Sequence, residues 1–148
     1  MLDAKRLREQ ATSAASVAAV WQKAVQSARD AELDGMSIDG SLRAAYDAGH
    51  MAALALLAAH GLRPGGGADH HEMAFAAAAA WGDPALADLV PDSEEVRGLR
   101  KGSMYDPTIA GPAERDVALK WMRRTLPAIR TALIAVDATL AARLIAYP

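Results

Sequence analysis

Arg97, Arg100 and Lys101 stand at i, i+3 and i+4, the spacing that gathers three side chains on one side of a helix. Cations so arranged can clamp a phosphate or a carboxylate, and arginine can do so with two parallel hydrogen bonds. A solvated helix C-terminus carries the same kind of triplet, because cations there complement the helix dipole. Both readings stand on spacing alone. Tyr105, Asp106 and Pro107 follow directly in the chain. A hydroxyl and a carboxylate therefore lie close to the basic face.

The four histidines are His50, His60, His70 and His71. Asp69-His70-His71-Glu72 has the composition of a metal cluster. Adjacent helical residues, however, point about 100° apart, and no H-x-x-x-H, H-E-x-x-H or E-x-x-H is present. Those are the spacings that bring two ligands to one helical face. Asp69 and Glu72 are better read as a capping box, and no metal or cofactor is expected. Gly65-Gly66-Gly67 lacks the G-K-[ST] ending of a phosphate loop. None of the serines lies in a nucleophile elbow. Trp21, Trp81 and Trp121 sit on or beside apolar stripes and read as core.

The elements that would position these residues are helical. Leu7, Ala11, Ala14, Ala18, Trp21, Val25 and Ala28 alternate spacings of four and three, which predicts one helix over 3–33. Gly35 ends it, and Asp39 or Ser41 caps the next helix, about 40–60. On that second helix Leu42, Tyr46, Gly49, Ala53, Leu56 and His60 share a face. Residues 62–69 read as a flexible loop. A short helix follows to Trp81, and a further turn covers 84–89. Another helix starts at the Asp92/Glu95 capping box and is ended by Gly102. Residues 104–111 read as a loop. A last helix opens at Pro112 and carries its apolar stripe from Val117 to Leu144, with a kink expected at Pro127. No segment alternates with period two, so no sheet is predicted. The fold class is all-α: an antiparallel bundle of four to five helices, with short extra helices between the core ones, in a single domain over 1–148.

Composition narrows the function classes. Of the 148 residues, 52% are hydrophobic and only 5% aromatic. Such an alanine-rich chain favours closely approaching helices. A net charge of -2 argues against a strongly basic nucleic-acid binder and leaves room for a local basic patch. The absence of cysteine removes disulfides, thiolate metal sites and cysteine nucleophiles. The longest apolar runs, Met51–Ala59 and Met73–Trp81, are about half of the roughly 20 residues that span a bilayer. No signal peptide is evident, and a cytoplasmic location is expected.

Arg43-Ala-Ala-Tyr46, a Gly-rich break, the His70-His71 helix start and Leu99-Arg100-Lys-Gly-Ser-Met-Tyr105-Asp106-Pro107 before a long last helix together resemble the HEPN domains. The resemblance covers roughly residues 15–140. These helical bundles pair an Arg with a His across four to six intervening residues, and two protomers join these motifs across a dimer interface into a metal-independent ribonuclease site. Several members are toxins neutralised by a partner, often a small nucleotidyltransferase. The family Arg falls on Arg100, and the family His falls on Tyr105. Proton transfer near neutral pH suits histidine, whereas a phenol with a pKa of about 10 suits it poorly.

The resemblance therefore implies a non-catalytic or divergent member acting as a binding or regulatory module in a toxin–antitoxin or nucleic-acid-linked system. It also implies a homodimer, an antitoxin or nucleotidyltransferase partner, and RNA or a nucleotide as ligand. Arg97, Arg100, Lys101, Tyr105 and Asp106 would form the pocket, with Arg43 and Tyr46 facing it from the second helix and His70/His71 at its rim. Arg100 and Tyr105 are the candidate catalytic pair, and Tyr105 is also a candidate for nucleotidylylation. Two other classes compete. One is an active ribonuclease in which Tyr105, or a histidine from helix two or three, fills the missing role. The other is a structural interaction protein whose helices complete a partner's bundle.

Overall fold

A computed structural model describes residues 7–64, 70–81, 84–105 and 110–147. Side chains are described for these residues except at 7–8, 70–73, 81 and 103–105. Among the described residues the chain runs β1 (Leu7–Glu9), α1 (Ala14–Ala31), α2 (Ile38–Ala59), β2 (Leu62–Pro64), α3 (His70–Trp81), α4 (Pro84–Asp88), α5 (Val90–Tyr105) and α6 (Pro112–Val136). A 3-10 turn over Ala138–Ala142 follows. The architecture is a helical bundle, as the periodicity predicts, with six helices among the described residues, the short α4 among them.

Capping chemistry sets the helix starts. Ser13 accepts a hydrogen bond from Ser16 N at 3.1 Å, and Ser16 Oγ accepts one from Ser13 N at 3.0 Å. This reciprocal box opens α1 at Ala14, eleven residues later than the apolar stripe predicts. The preceding segment instead forms β1, which pairs antiparallel with β2, Arg8 opposite Arg63. The expectation of no sheet is therefore corrected by one three-residue ribbon, and the first part of the expected 62–69 loop is its second strand. Gln10 N extends the contact to Gly61 O at 2.8 Å.

The N-cap of α2 is Ser37, which accepts from Gly40 N at 3.0 Å, not Asp39 or Ser41. Ser41 is fully buried and donates its hydroxyl to Ala31 O, the last carbonyl of α1. This bond closes the α1–α2 hairpin across a turn that contains Gly35 at φ 83°. Asp69, offered as the cap of α3, lies outside the described residues, as does the side chain of Glu72.

Two C-terminal boundaries also move. α5 runs through Gly102 to Tyr105, so the basic triplet lies in mid-helix rather than in a last turn. α6 continues through Pro127 and ends at Val136. There Asp137 turns extended (φ -146°, ψ 105°), and its carboxylate accepts from Thr139 N at 2.9 Å.

α2 lies at the centre and packs on α1, α3, α5, α6 and β2. Its stripe Ala45, Ala48, Ala52 and Ala55 is fully buried, as are Ala24, Ala28 and Ala31 of α1. Side chains this small let helices approach closely and fill the space between them. Leu42, Leu56, Met122, Leu126, Ile129 and Leu133 supply the bulk of the core. The chain end closes over it: Trp21 Nε1 donates to Ile145 O at 2.7 Å, and the Tyr147 hydroxyl donates to the Glu32 carboxylate. Arg123 pairs with that same carboxylate. Val117, where the stripe of α6 was expected to start, is exposed, and so is Val136. No helix among the described residues is long and apolar enough to cross a membrane.

Candidate functional site

α2 and α5 bring four of the seven residues singled out in the sequence to one place. Tyr46 is buried on α2, and the Arg100 guanidinium lies over its ring at 5.3 Å from the centroid, within cation–π range. Arg100 Nη2 also stands 3.7 Å from Asp47 Oδ1. One turn earlier on α5, Arg97 Nη1 stands 3.7 Å from Glu94 Oε2. Arg43, exposed and one turn before Asp47 on α2, adds its positive field to that carboxylate.

Lys101 is exposed on α5. The side chain of Tyr105 and all of Asp106 and Pro107 lie outside the described residues. So do the side chains of His70, His71 and Trp81. Tyr105 itself closes α5 rather than sitting in a loop.

Three partners were not evident from spacing. His50 follows Tyr46 by one turn, and their rings stack at 6.1 Å with 6° between planes. Trp121 of α6 also lies close, 6.4 Å from Tyr46 at 16°. Phe75 of α3 tilts against Trp121 at 5.7 Å and 48°. Gly49 makes this possible. A Cβ built there would lie 2.5 Å from Trp121 Cζ3 and closer still to Cη2. The available signal was the i, i+4 pair Tyr46/His50 with Gly49 between them, since a glycine inside a helix marks a close approach.

Burial dominates the electrostatics. It pushes the Tyr46 phenol from 10.0 up to about 12, against the opposing fields of Arg97 and Arg100. The hydroxyl is therefore neutral at physiological pH. Burial also raises the Asp47 carboxyl, while Arg100 and Arg43 pull it back. Two arginines thus lie beside a neutral aromatic floor, and the carboxylates that the described residues bring to them stand at 3.7 Å. Tyr46, His50, Ser93, Glu94, Arg97 and Trp121 surround a cleft of about 10 Å³, room for about one water or one ligand oxygen. Two larger hollows, of about 220 and 460 Å³, present Asp137 and the pair Glu9/His60 and no arginine. They are poorly suited to an anion. Among the described residues no group of three His, Asp or Glu side chains is placed to hold a metal ion.

No family model matches the chain, and neither the curated proteins nor the solved structures contain a match to it.

Proposed function

We propose that this chain is a helical binding module that holds a phosphate-bearing ligand, RNA or a nucleotide, against Arg97 and Arg100. It would act as a non-catalytic or divergent HEPN-like member of a toxin–antitoxin or other nucleic-acid-linked system. A second copy, or an antitoxin or nucleotidyltransferase partner, completes the working assembly on this reading.

The supporting observation is the state of the two arginines. Both flank Tyr46 from one face of α5, and each meets a carboxylate only at 3.7 Å. A committed guanidinium–carboxylate pair closes to about 2.7–2.9 Å, so among the described residues no carboxylate takes up the donors of either group at that distance. Binding of fluorescently labelled RNA and of AMP tests this directly, comparing wild type with Arg100→Ala and with Lys101→Ala as the exposed control. Loss of binding in Arg100→Ala alone supports the reading. Absence of any binding by wild type overturns it.

His50 favours a second reading, that of a divergent ribonuclease. An imidazole on the same cleft as Arg97 is a group able to move protons near neutral pH, supplied from α2 in place of the absent histidine after Arg100. Incubation with total RNA separates the readings. Cleavage by wild type that disappears in both His50→Gln and Arg100→Ala would establish the nuclease. Equal degradation by all three proteins would point to contamination.

A further inference from the structure

Arg100 is held from one side and contested from another. Its guanidinium lies 5.3 Å from the centroid of the buried Tyr46 ring. Its side chain is 28% exposed, and Nε is buried. The packing of α5 on α2 and the cation–π contact with the ring therefore fix the position of this group.

The carboxylate that meets it comes from the same helix as the ring. Asp47 follows Tyr46 in the chain, and its Oδ1 stands 3.7 Å from Arg100 Nη2. That is too long for a committed pair, yet well inside the range over which two charges act on each other. The Asp47 carboxyl answers to two arginines. Burial raises its pKa, and Arg100 and then Arg43 pull it back. Arg43 is exposed and lies four residues earlier on α2, where side chains on one helical face can meet. Asp47, 40% exposed, is thus shared between a fixed arginine on α5 and an exposed one on its own helix. Glu94 is a different case. It belongs to α5 itself, three residues before Arg97, and its longer side chain is 41% exposed. Asp47 is one carbon shorter, and its neighbours Ala45, Tyr46 and Ala48 are buried, so its carboxyl stays beside Arg100.

An anion that reaches Arg100 therefore meets a group with a carboxylate already beside it. The two negative charges repel each other and contend for the same donors. Asp47 keeps a partner in Arg43 when it yields.

Resting on the proposed function, we propose that Asp47 is an internal competitor for the ligand phosphate at Arg100, a built-in counter-anion that lowers the affinity of the site and turns to Arg43 when the ligand binds. One anion replaces another on a guanidinium that stays in place. Asp47 acts through Arg100 and is not itself a ligand contact.

The test measures the affinity of a fluorescently labelled single-stranded RNA oligonucleotide at one low salt concentration, where such fields are least screened. Asp47→Asn keeps the shape and removes the charge. It should bind about two- to fivefold more tightly than wild type, the range of partly exposed charge pairs. Asp47→Glu keeps the charge and should show no gain. Glu95→Gln removes one charge from an exposed position on α5 and should gain less than Asp47→Asn. In an Arg100→Ala background, Asp47→Asn should gain nothing, because no guanidinium is left to contend for. Wild type supplies a readout that needs no variant: the Asp47 carboxyl ¹³C resonance should move as RNA is added. Unchanged or weaker binding by Asp47→Asn, with Arg100→Ala still weakened, would overturn the competitor and leave the phosphate-binding face intact. An equal gain in Glu95→Gln, or one that persists without Arg100, would reduce the effect to net charge and overturn it too. So would an unmoved Asp47 resonance in the saturated complex. No binding by wild type would remove both readings.

Discussion

Replacing Gly49 by alanine probes the contact on which the candidate site is assembled. The added methyl would lie 2.5 Å from Trp121 Cζ3 and 2.9 Å from Cζ2, where carbon pairs rest at about 3.5–4.0 Å. The indole is 3% exposed and is also packed against Tyr46 and Phe75, so the ring or the helix must shift by roughly an ångström. Overpacking of this kind costs about 1–3 kcal/mol. Against it, alanine in place of glycine favours a helix by about 0.8–1.0 kcal/mol. The net expectation is a loss of up to about 2 kcal/mol, with the upper end set by how little the ring can move. For a chain of this size that lowers Tm by up to roughly 8 °C. Thermal denaturation followed by circular dichroism measures it. The double variant Gly49→Ala/Trp121→Phe should lose less than the sum of the single changes, because the smaller ring makes room for the methyl. A Tm that rises in Gly49→Ala, as helix propensity alone dictates, would refute the contact.

Two further outcomes follow from the buried polar groups. With the Tyr46 phenol pushed up to about 12, the folded state keeps a proton that the unfolded chain releases near 10, so stability falls as pH rises from 10 towards 12. Tyr46→Phe should flatten that part of the alkaline stability profile, and an unchanged slope in Tm against pH would contradict the burial of the hydroxyl. Ser41→Ala removes the donor to Ala31 O and leaves a buried carbonyl unsatisfied, at a cost of about 1–3 kcal/mol. Urea denaturation should show it as a lower midpoint at unchanged slope.

Much of this architecture was legible because α2 is buried along a regular stripe. Leu42, Tyr46, Gly49, Ala53, Leu56 and His60 were read as one face; the first five are buried and His60, at the C-cap, is half-buried. What escaped depends on distant partners. The β1–β2 ribbon joins Leu7–Glu9 to Leu62–Pro64, and three-residue strands carry too little alternation to compete with an alanine-rich helical pattern. Gly102 looked like a terminator, yet α5 passes through it, a position that costs a helix only about 1 kcal/mol relative to alanine. At the site, the spacing of Arg97 and Arg100 and the position of Tyr46 were readable within single helices. The stacking of His50 on Tyr46 and the arrival of Trp121 were not. Which faces of α2, α5 and α6 meet is decided by packing, and His50 was weighed as a metal ligand or a catalytic histidine, not as a ring stacked on Tyr46. Lys101 shows the converse limit: i+4 spacing placed it with Arg97, while the bundle leaves it in solvent.

The central claim is that Arg100, together with Arg97, is a ligand-binding group and not a surface charge. Its most direct test is the affinity of a 5'-labelled RNA for wild type, Arg100→Ala and Lys101→Ala at one fixed salt concentration. Removing a charge-assisted pair of hydrogen bonds should weaken binding by about tenfold to a hundredfold in Arg100→Ala. The exposed Lys101→Ala control should change it little. Equal weakening by the two substitutions, or none by either, would contradict the claim.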